Sequence, residues 1–143
     1  MMKYLLLFCL APYLSRSQEV PTDANAIWDS VADGHYQECA DEFGIDRAIG
    51  RDFLRNLYLP DTRAFHCFLR CLYKSTDFLN ADGDFDIEVV VYKAHFLPYD
   101  LTEQCITESH MQPDLCDRAY TAAACAVSGL SGMDREALKV PRN

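Results

Sequence analysis

An all-α fold of about six helices, braced by disulfides, is what the 143 residues predict, and three observations carry that reading. Apolar side chains recur at helical spacing in successive segments. An even set of cysteines remains once a leader-like start is set aside. The punctuating residues Gly44, Pro60, Pro98 and Gly129 each fall where a periodic segment stops.

The start reads Met1-Met2-Lys3, then an apolar run from Tyr4 to Leu14, then Ser15-Arg16-Ser17 before Gln18. A basic beginning, a short apolar centre and small residues at −3 and −1 are the layout of a secretion signal, so residues 1–17 are excluded from the fold. The apolar run is too short to cross a bilayer, and no later stretch reaches the roughly 18–20 residues required without charges. Residues 18–143 are expected to form one secreted, extracellular domain. They hold no repeat, low-complexity tract or linker, and no Asn-x-Ser/Thr acceptor for glycosylation.

Of the 13 basic residues the leader takes Lys3 and Arg16, and it takes none of the 22 acids. The remainder carries 11 against 22, a formal charge of −11. Such a chain repels phosphate backbones and anionic membrane surfaces, so nucleic-acid binding is set aside.

From Ala24 to Phe43 one helix is predicted, with Trp28, Ala32, Cys39 and Phe43 on a single face and Gly44 as its stop. A second, Arg47 to Leu57, carries Phe53, Leu54 and Leu57, and Asp61 offers an N-cap for the next helix. The third, Thr62 to Thr76, places Phe65, Phe68, Leu69 and Leu72 at i, i+3, i+4 and i+7. Cys67 and Cys71 sit on another side, which leaves a narrow basic strip for solvent, so this helix is expected to be central.

Asn80-Ala81-Asp82-Gly83-Asp84 is a loop by turn chemistry. Its acids invite a calcium reading that fails on register. With Gly83 as the sixth position of an EF-hand loop, Phe78 and Val89 would occupy positions one and twelve, where oxygen ligands are required. Asp86 is therefore read as the N-cap of a helix from Ile87 to Leu97, a segment whose Val89-Val90-Val91 also has strand propensity. Asp100 is expected to cap a helix to His110. Pro113-Asp114 opens the last, Leu115 to Ser128, ended by Gly129, with a further turn of helix around Glu136–Lys139.

The six cysteines are Cys39, Cys67, Cys71, Cys105, Cys116 and Cys125. A zinc site lacks close C-x2-C pairs and paired histidines, so disulfides are the reading and no metal or other cofactor is expected. Six cysteines allow fifteen pairings. Cys116 and Cys125 face opposite sides of one helix, and Cys67 and Cys71 project in parallel, so neither pair bonds to itself. Ten pairings survive that test.

The spacing Cys39-x27-Cys67-x3-Cys71-x33-Cys105-x10-Cys116-x8-Cys125 resembles the insect odorant-binding protein family, pheromone and general odorant binders included. The likeness spans the whole of 18–143. It implies about six helices around an internal hydrophobic cavity, with bridges Cys39–Cys71, Cys67–Cys116 and Cys105–Cys125. It also implies a function: a soluble carrier that takes a small hydrophobic molecule (alcohol, aldehyde, ester, phenolic or fatty acid) to a membrane odorant receptor, as a monomer or weak homodimer. Carriage of lipids or hormone-like molecules outside olfaction would use the same fold.

A carrier needs apolar walls with a few polar groups. Candidate ligand-binding residues are Phe53, Leu57 and Tyr58 of the second helix, Phe65, Phe68, Leu69 and Leu72 of the third, Val90, Ala94 and Phe96 of the fourth, and Tyr120, Ala123 and Val127 of the last. Tyr58 and Tyr120 are the expected polar handles, and the alanines Ala119, Ala122, Ala123, Ala124 and Ala126 leave volume beside the last helix. In some relatives the C-terminal segment walls the cavity, a role that would fall here to Leu138 and Val140. Burying a ten-carbon chain at about 0.8 kcal/mol per CH2 gives ~8 kcal/mol before the costs of binding, hence micromolar affinity.

No catalytic residues are assigned. Serine-hydrolase elbows, H-E-x-x-H and P-loops are absent, and His66-Cys67 lacks the Asp and the Gly-rich calcium loop of a secreted phospholipase. His35, His66, His95 and His110 have no motif around them and are read as surface or packing residues. The rivals are a cavity-free interaction or defence protein, whose apolar faces would be filled core, and a saposin-like lipid binder, whose bridges pair the chain's two ends.

Overall fold

In a computed structural model the described residues, 20–142, form eight helices. The leader expected at 1–17 lies outside them. The helices are α1 (Ala24–Ala32), α2 (Tyr36–Phe43), α3 (Arg47–Asn56), α4 (Arg63–Ser75), α5 (Ile87–Lys93), α6 (Tyr99–Ser109), α7 (Leu115–Ser131) and α8 (Arg135–Leu138). The all-α expectation holds, since among the described residues the sole β feature is an isolated bridge between Leu79 and Phe85.

The helix expected over Ala24–Phe43 is two. Gly34 adopts φ +78°, a left-handed conformation that only Gly takes without cost, and it breaks the rod so that α2 can turn. The apolar face survives the break, because Trp28, Ala32 and Cys39 all remain buried. The stop expected at Gly129 is also displaced. Gly129 lies inside α7, where the Leu101 side chain of α6 occupies the space a Cβ would need. The terminator is Gly132, left-handed at φ +72°. A glycine read as punctuation is thus a close-packing residue, and it lets α6 lie against α7 beside the Cys105–Cys125 bridge.

Three helix ends differ from expectation and two caps agree with it. α4 is capped by Thr62, whose hydroxyl accepts the Phe65 N–H at 3.2 Å, and not by Asp61. Asp61 instead accepts from the His66 Nε2 side and pairs with Lys139. Burial opposes ionisation of Asp61, yet those two hydrogen bonds hold its carboxyl below the usual range. α6 begins after Pro98, so Asp100 lies in its first turn and is not the cap. α5 ends at Lys93, short of Leu97, and a turn leads on to Pro98. Asp86 caps α5 as expected, and Asp114, in the dipeptide expected to open the last helix, caps α7. Replacing Thr62 with Ala is expected to cost about 1 kcal/mol, read as a lowered urea midpoint with unchanged slope.

α4 is the central element, as its pattern predicts. Phe65, Phe68, Leu69 and Leu72 are completely buried, and each contributes about 1.5–3 kcal/mol in removing apolar surface from water. Sulfur ties α4 outward in two directions, to α2 through Cys39–Cys71 and to α7 through Cys67–Cys116, while Cys105–Cys125 joins α6 to α7. These are the three pairs the family resemblance implied. His66 of α4 stacks on Tyr120 of α7, ring centroids 4.0 Å apart, with its nitrogens 2.8 and 2.9 Å from Asp61 and Asp117. It is a packing residue.

The C-terminal segment clamps and does not wall. Leu138 is fully buried in the core, and its carbonyl accepts the Leu59 N–H at 2.7 Å. Arg135 pairs with Glu108 of α6, a contact that holds the Glu108 carboxyl below its ordinary range. Val140 is largely exposed.

Candidate cavity for a small apolar molecule

Helices α1, α3, α4, α5, α6 and α7, with the loops flanking α5, leave a void between them. Its walls are Trp28 from α1, Phe53 and Leu54 from α3, and Tyr73 from α4. Phe78 and Phe85 come from the loop before α5, Val90 from α5, and Ala94, Phe96 and Leu97 from the turn after it. Thr102, Cys105 and Ile106 of α6 and Ala122, Ala123, Ala126, Val127 and Leu130 of α7 close the other side. The cavity measures about 70 Å³, counted as the space a water molecule's centre can reach. A single water fills on the order of 10–15 Å³, so a space over which its centre can range this far has room for a small organic molecule.

The wall is chemically uniform. None of these residues is Asp, Glu, Lys, Arg or His, and the few polar atoms belong to Trp28, Tyr73 and Thr102. The Thr102 hydroxyl is committed to the Pro98 carbonyl at 2.9 Å. Burial alone, with no neighbouring charge or hydrogen bond, pushes ionisation of the Tyr73 hydroxyl upward, so it stays a neutral phenol. The aromatic end is a connected cluster. Trp28 meets Phe53, Tyr73 and Phe78 at centroid distances of 5.7, 6.3 and 6.1 Å, and Tyr73 meets Phe85 at 5.6 Å.

The cavity's alanines follow from helix geometry. Ala122, Ala123, Ala126, Val127 and Leu130 fall at i, i+1, i+4, i+5 and i+8 of α7, one continuous stripe, and methyl groups along it leave the space unfilled.

Of the thirteen residues chosen from sequence, Phe53, Val90, Ala94, Phe96, Ala123 and Val127 come together on this wall. The other seven do not. Phe65, Phe68, Leu69 and Leu72 face inward from α4 into packed core. Leu57 packs at the core margin, and Tyr58 borders a shallow surface depression with Ile49 and Asn56. Tyr120 is buried, but its hydroxyl already donates to the Leu59 carbonyl at 2.9 Å, which is why it is no free handle. Leu138 and Val140, the candidate lid, also lie away from the wall.

Of the polar residues that reach the wall, Trp28 was legible only as a member of an apolar face, and Tyr73 was not singled out at all. Thr102, Cys105 and Ile106 had a signal, the i, i+3, i+4 spacing around a cysteine. Phe78 and Phe85 had none, because they flank an irregular loop that the Asn80 side chain holds by accepting the Asp82 and Asp84 N–H groups.

A second, more polar space is bordered by Pro98 and Leu101 of the α6 end and by Ser128, Gly129 and Arg135. Phe96 and Leu130 line both spaces. Among the described residues no cluster of three or more His, Cys, Asp or Glu is placed to hold a metal ion. Nor is any helix among them long and apolar enough to cross a membrane.

A three-disulfide helical bundle around a small, charge-free cavity defines a class, the helical binding proteins for small apolar molecules. The chain belongs to the PBP/GOBP family, whose profile matches residues 29–128, in agreement with the insect odorant-binding resemblance of its cysteine spacing. That family consists of carriers of small hydrophobic ligands and not of enzymes. Searches of curated proteins and of solved structures return no significant match.

Proposed function

We propose that this protein is a secreted carrier of odorants or pheromones, with residues 1–17 as its secretion leader and 18–143 as the functional domain. It takes a small hydrophobic molecule into the internal cavity, shields it from water and delivers it to a membrane receptor. The observation that carries this reading is the charge-free apolar void inside a chain of a carrier family. Wild-type protein performs no reaction. Its work is partition: burying a ten-carbon ligand gains about 8 kcal/mol against the entropy of capture, which leaves micromolar binding and therefore release on a useful timescale.

The test is displacement of a fluorescent naphthylamine from purified, oxidised Gln18–Asn143 by C8 to C18 alcohols, aldehydes, esters, phenolics and fatty acids. Saturable uptake with selective micromolar displacement is the expected result. No uptake by correctly bridged protein would mean that the interior is closed to ligands and that the acidic surface serves a protein partner.

The residues shared by the two spaces are assigned the entry route. Phe96 sits on a short turn, is only half-buried and lines both spaces, which makes it the gate in this reading. Phe96→Ala is expected to speed both uptake and release by about tenfold in stopped-flow fluorescence, with the equilibrium constant nearly unchanged.

A further inference from the structure

The indole Nε1–H of Trp28 is buried without a hydrogen-bond partner, and its ring forms part of the cavity wall. It is the one such side-chain atom among the described residues. An N–H stripped of water and given nothing in return is a standing cost, and native proteins seldom tolerate one. Its neighbour across the cavity end is Tyr73, 6.3 Å away between ring centroids at 69°. Tyr73 is also a buried residue of the same wall, and burial is what pushes ionisation of its phenol upward. Two aromatic side chains that carry hydrogen-bond donors thus stand side by side at one end of an otherwise apolar wall.

We propose that Trp28 and Tyr73 form a polar subsite that receives the carbonyl oxygen of a neutral ligand, a ketone, aldehyde or ester. The inference rests on the carrier reading and deepens it. A carbonyl oxygen has two lone pairs, which match two donors, the indole N–H and the phenol O–H. A hydrocarbon would leave both donors unpaired. A carboxylate or an ammonium ion would enter without a counter-charge, because no ionisable chain of opposite sign lines the wall. Thr102 does not compete, since its hydroxyl proton is committed to Pro98.

The experiment uses carvone and limonene, which share a carbon skeleton and differ by the carbonyl group, as displacers of the naphthylamine probe from the oxidised protein. Trp28→Phe and Tyr73→Phe keep the aromatic packing and remove one donor each. Each variant is expected to weaken carvone by about five- to tenfold and to change limonene by less than about twofold. Because Trp28 is the single tryptophan of the chain, the wild-type protein gives a second readout: its emission should move to longer wavelength with carvone and not with limonene. That readout does not depend on either variant folding. Equal losses for the two ligands, or an emission unmoved by carvone, would overturn the subsite and mean that the N–H is spent on the face of a neighbouring ring. Absence of probe uptake by wild-type protein would instead overturn the carrier reading itself.

Discussion

Replacing Ala123 with Phe is expected to abolish probe and ligand uptake, raising the apparent dissociation constant at least about 30-fold, which is ~2 kcal/mol. Ala123 is buried on α7, and its methyl faces a cavity of about 70 Å³. A phenyl group in its place takes the volume a ligand would need. The native alanine stripe is what keeps this space open, so one large side chain on it closes the site from within. Ala126→Phe, on the same stripe, is expected to act the same way from an adjacent position. The folded protein should survive, because overpacking costs about 1–3 kcal/mol and the new ring fills a void and does not displace packed core. Retained probe binding by both variants would show that the cavity is not where ligands go.

Removing the Cys67–Cys116 bridge as the double variant Cys67→Ala, Cys116→Ala should produce the largest loss of stability. This bridge spans 49 residues, the widest of the three, and joins the central α4 to α7. Constraint of the unfolded chain over a loop of that size is worth about 4 kcal/mol in the chain-entropy model. For a domain of this length the loss corresponds to a thermal midpoint lower by roughly 10–20 °C in a calorimetric or circular-dichroism melt. The bridge over 20 residues, Cys105–Cys125, should cost less when removed in the same way, about 3 kcal/mol. The reverse order would contradict the entropic account of these staples.

The two variants separate the roles of α7. Its arc toward α4, with Cys116 and Tyr120, gives stability, while its stripe from Ala122 to Leu130 borders the void and gives function. Ala123 serves both, since it belongs to the core as well as to the wall.

How far the sequence reached depended on whether a feature was periodic. The buried face of α4 and the caps at Asp86 and Asp114 were legible because helix spacing and capping chemistry are local. The bridges were not legible from geometry, which left ten pairings, and came from a family resemblance that the structure bears out. Glycine misled twice, at Gly34 and at Gly129. Whether a glycine supplies a left-handed turn or room for a neighbour depends on what packs against it, and Leu101 is 28 residues away from Gly129 in sequence.

The wall itself was half legible. Apolar faces reveal burial, but a buried side chain can either border a void or fill one, and the one-dimensional pattern is the same for Phe65, which fills, and Phe53, which borders. Tyr120 and Tyr73 make the point for polar handles. Both are buried tyrosines on central helices, but Tyr120 donates its hydroxyl to the Leu59 carbonyl of a distant loop, whereas Tyr73 lines the cavity.

The most direct test of an internal ligand site is a crystal of the oxidised protein grown with a bromine-tagged decanol and an anomalous difference map at the bromine edge. The expected result is a single strong peak inside the cavity, bounded by Trp28, Tyr73, Val90, Ala123 and Leu130. A peak confined to the second space beside Leu101 and Ser128, or no peak at saturating ligand, would contradict the claim that this fold carries its cargo inside.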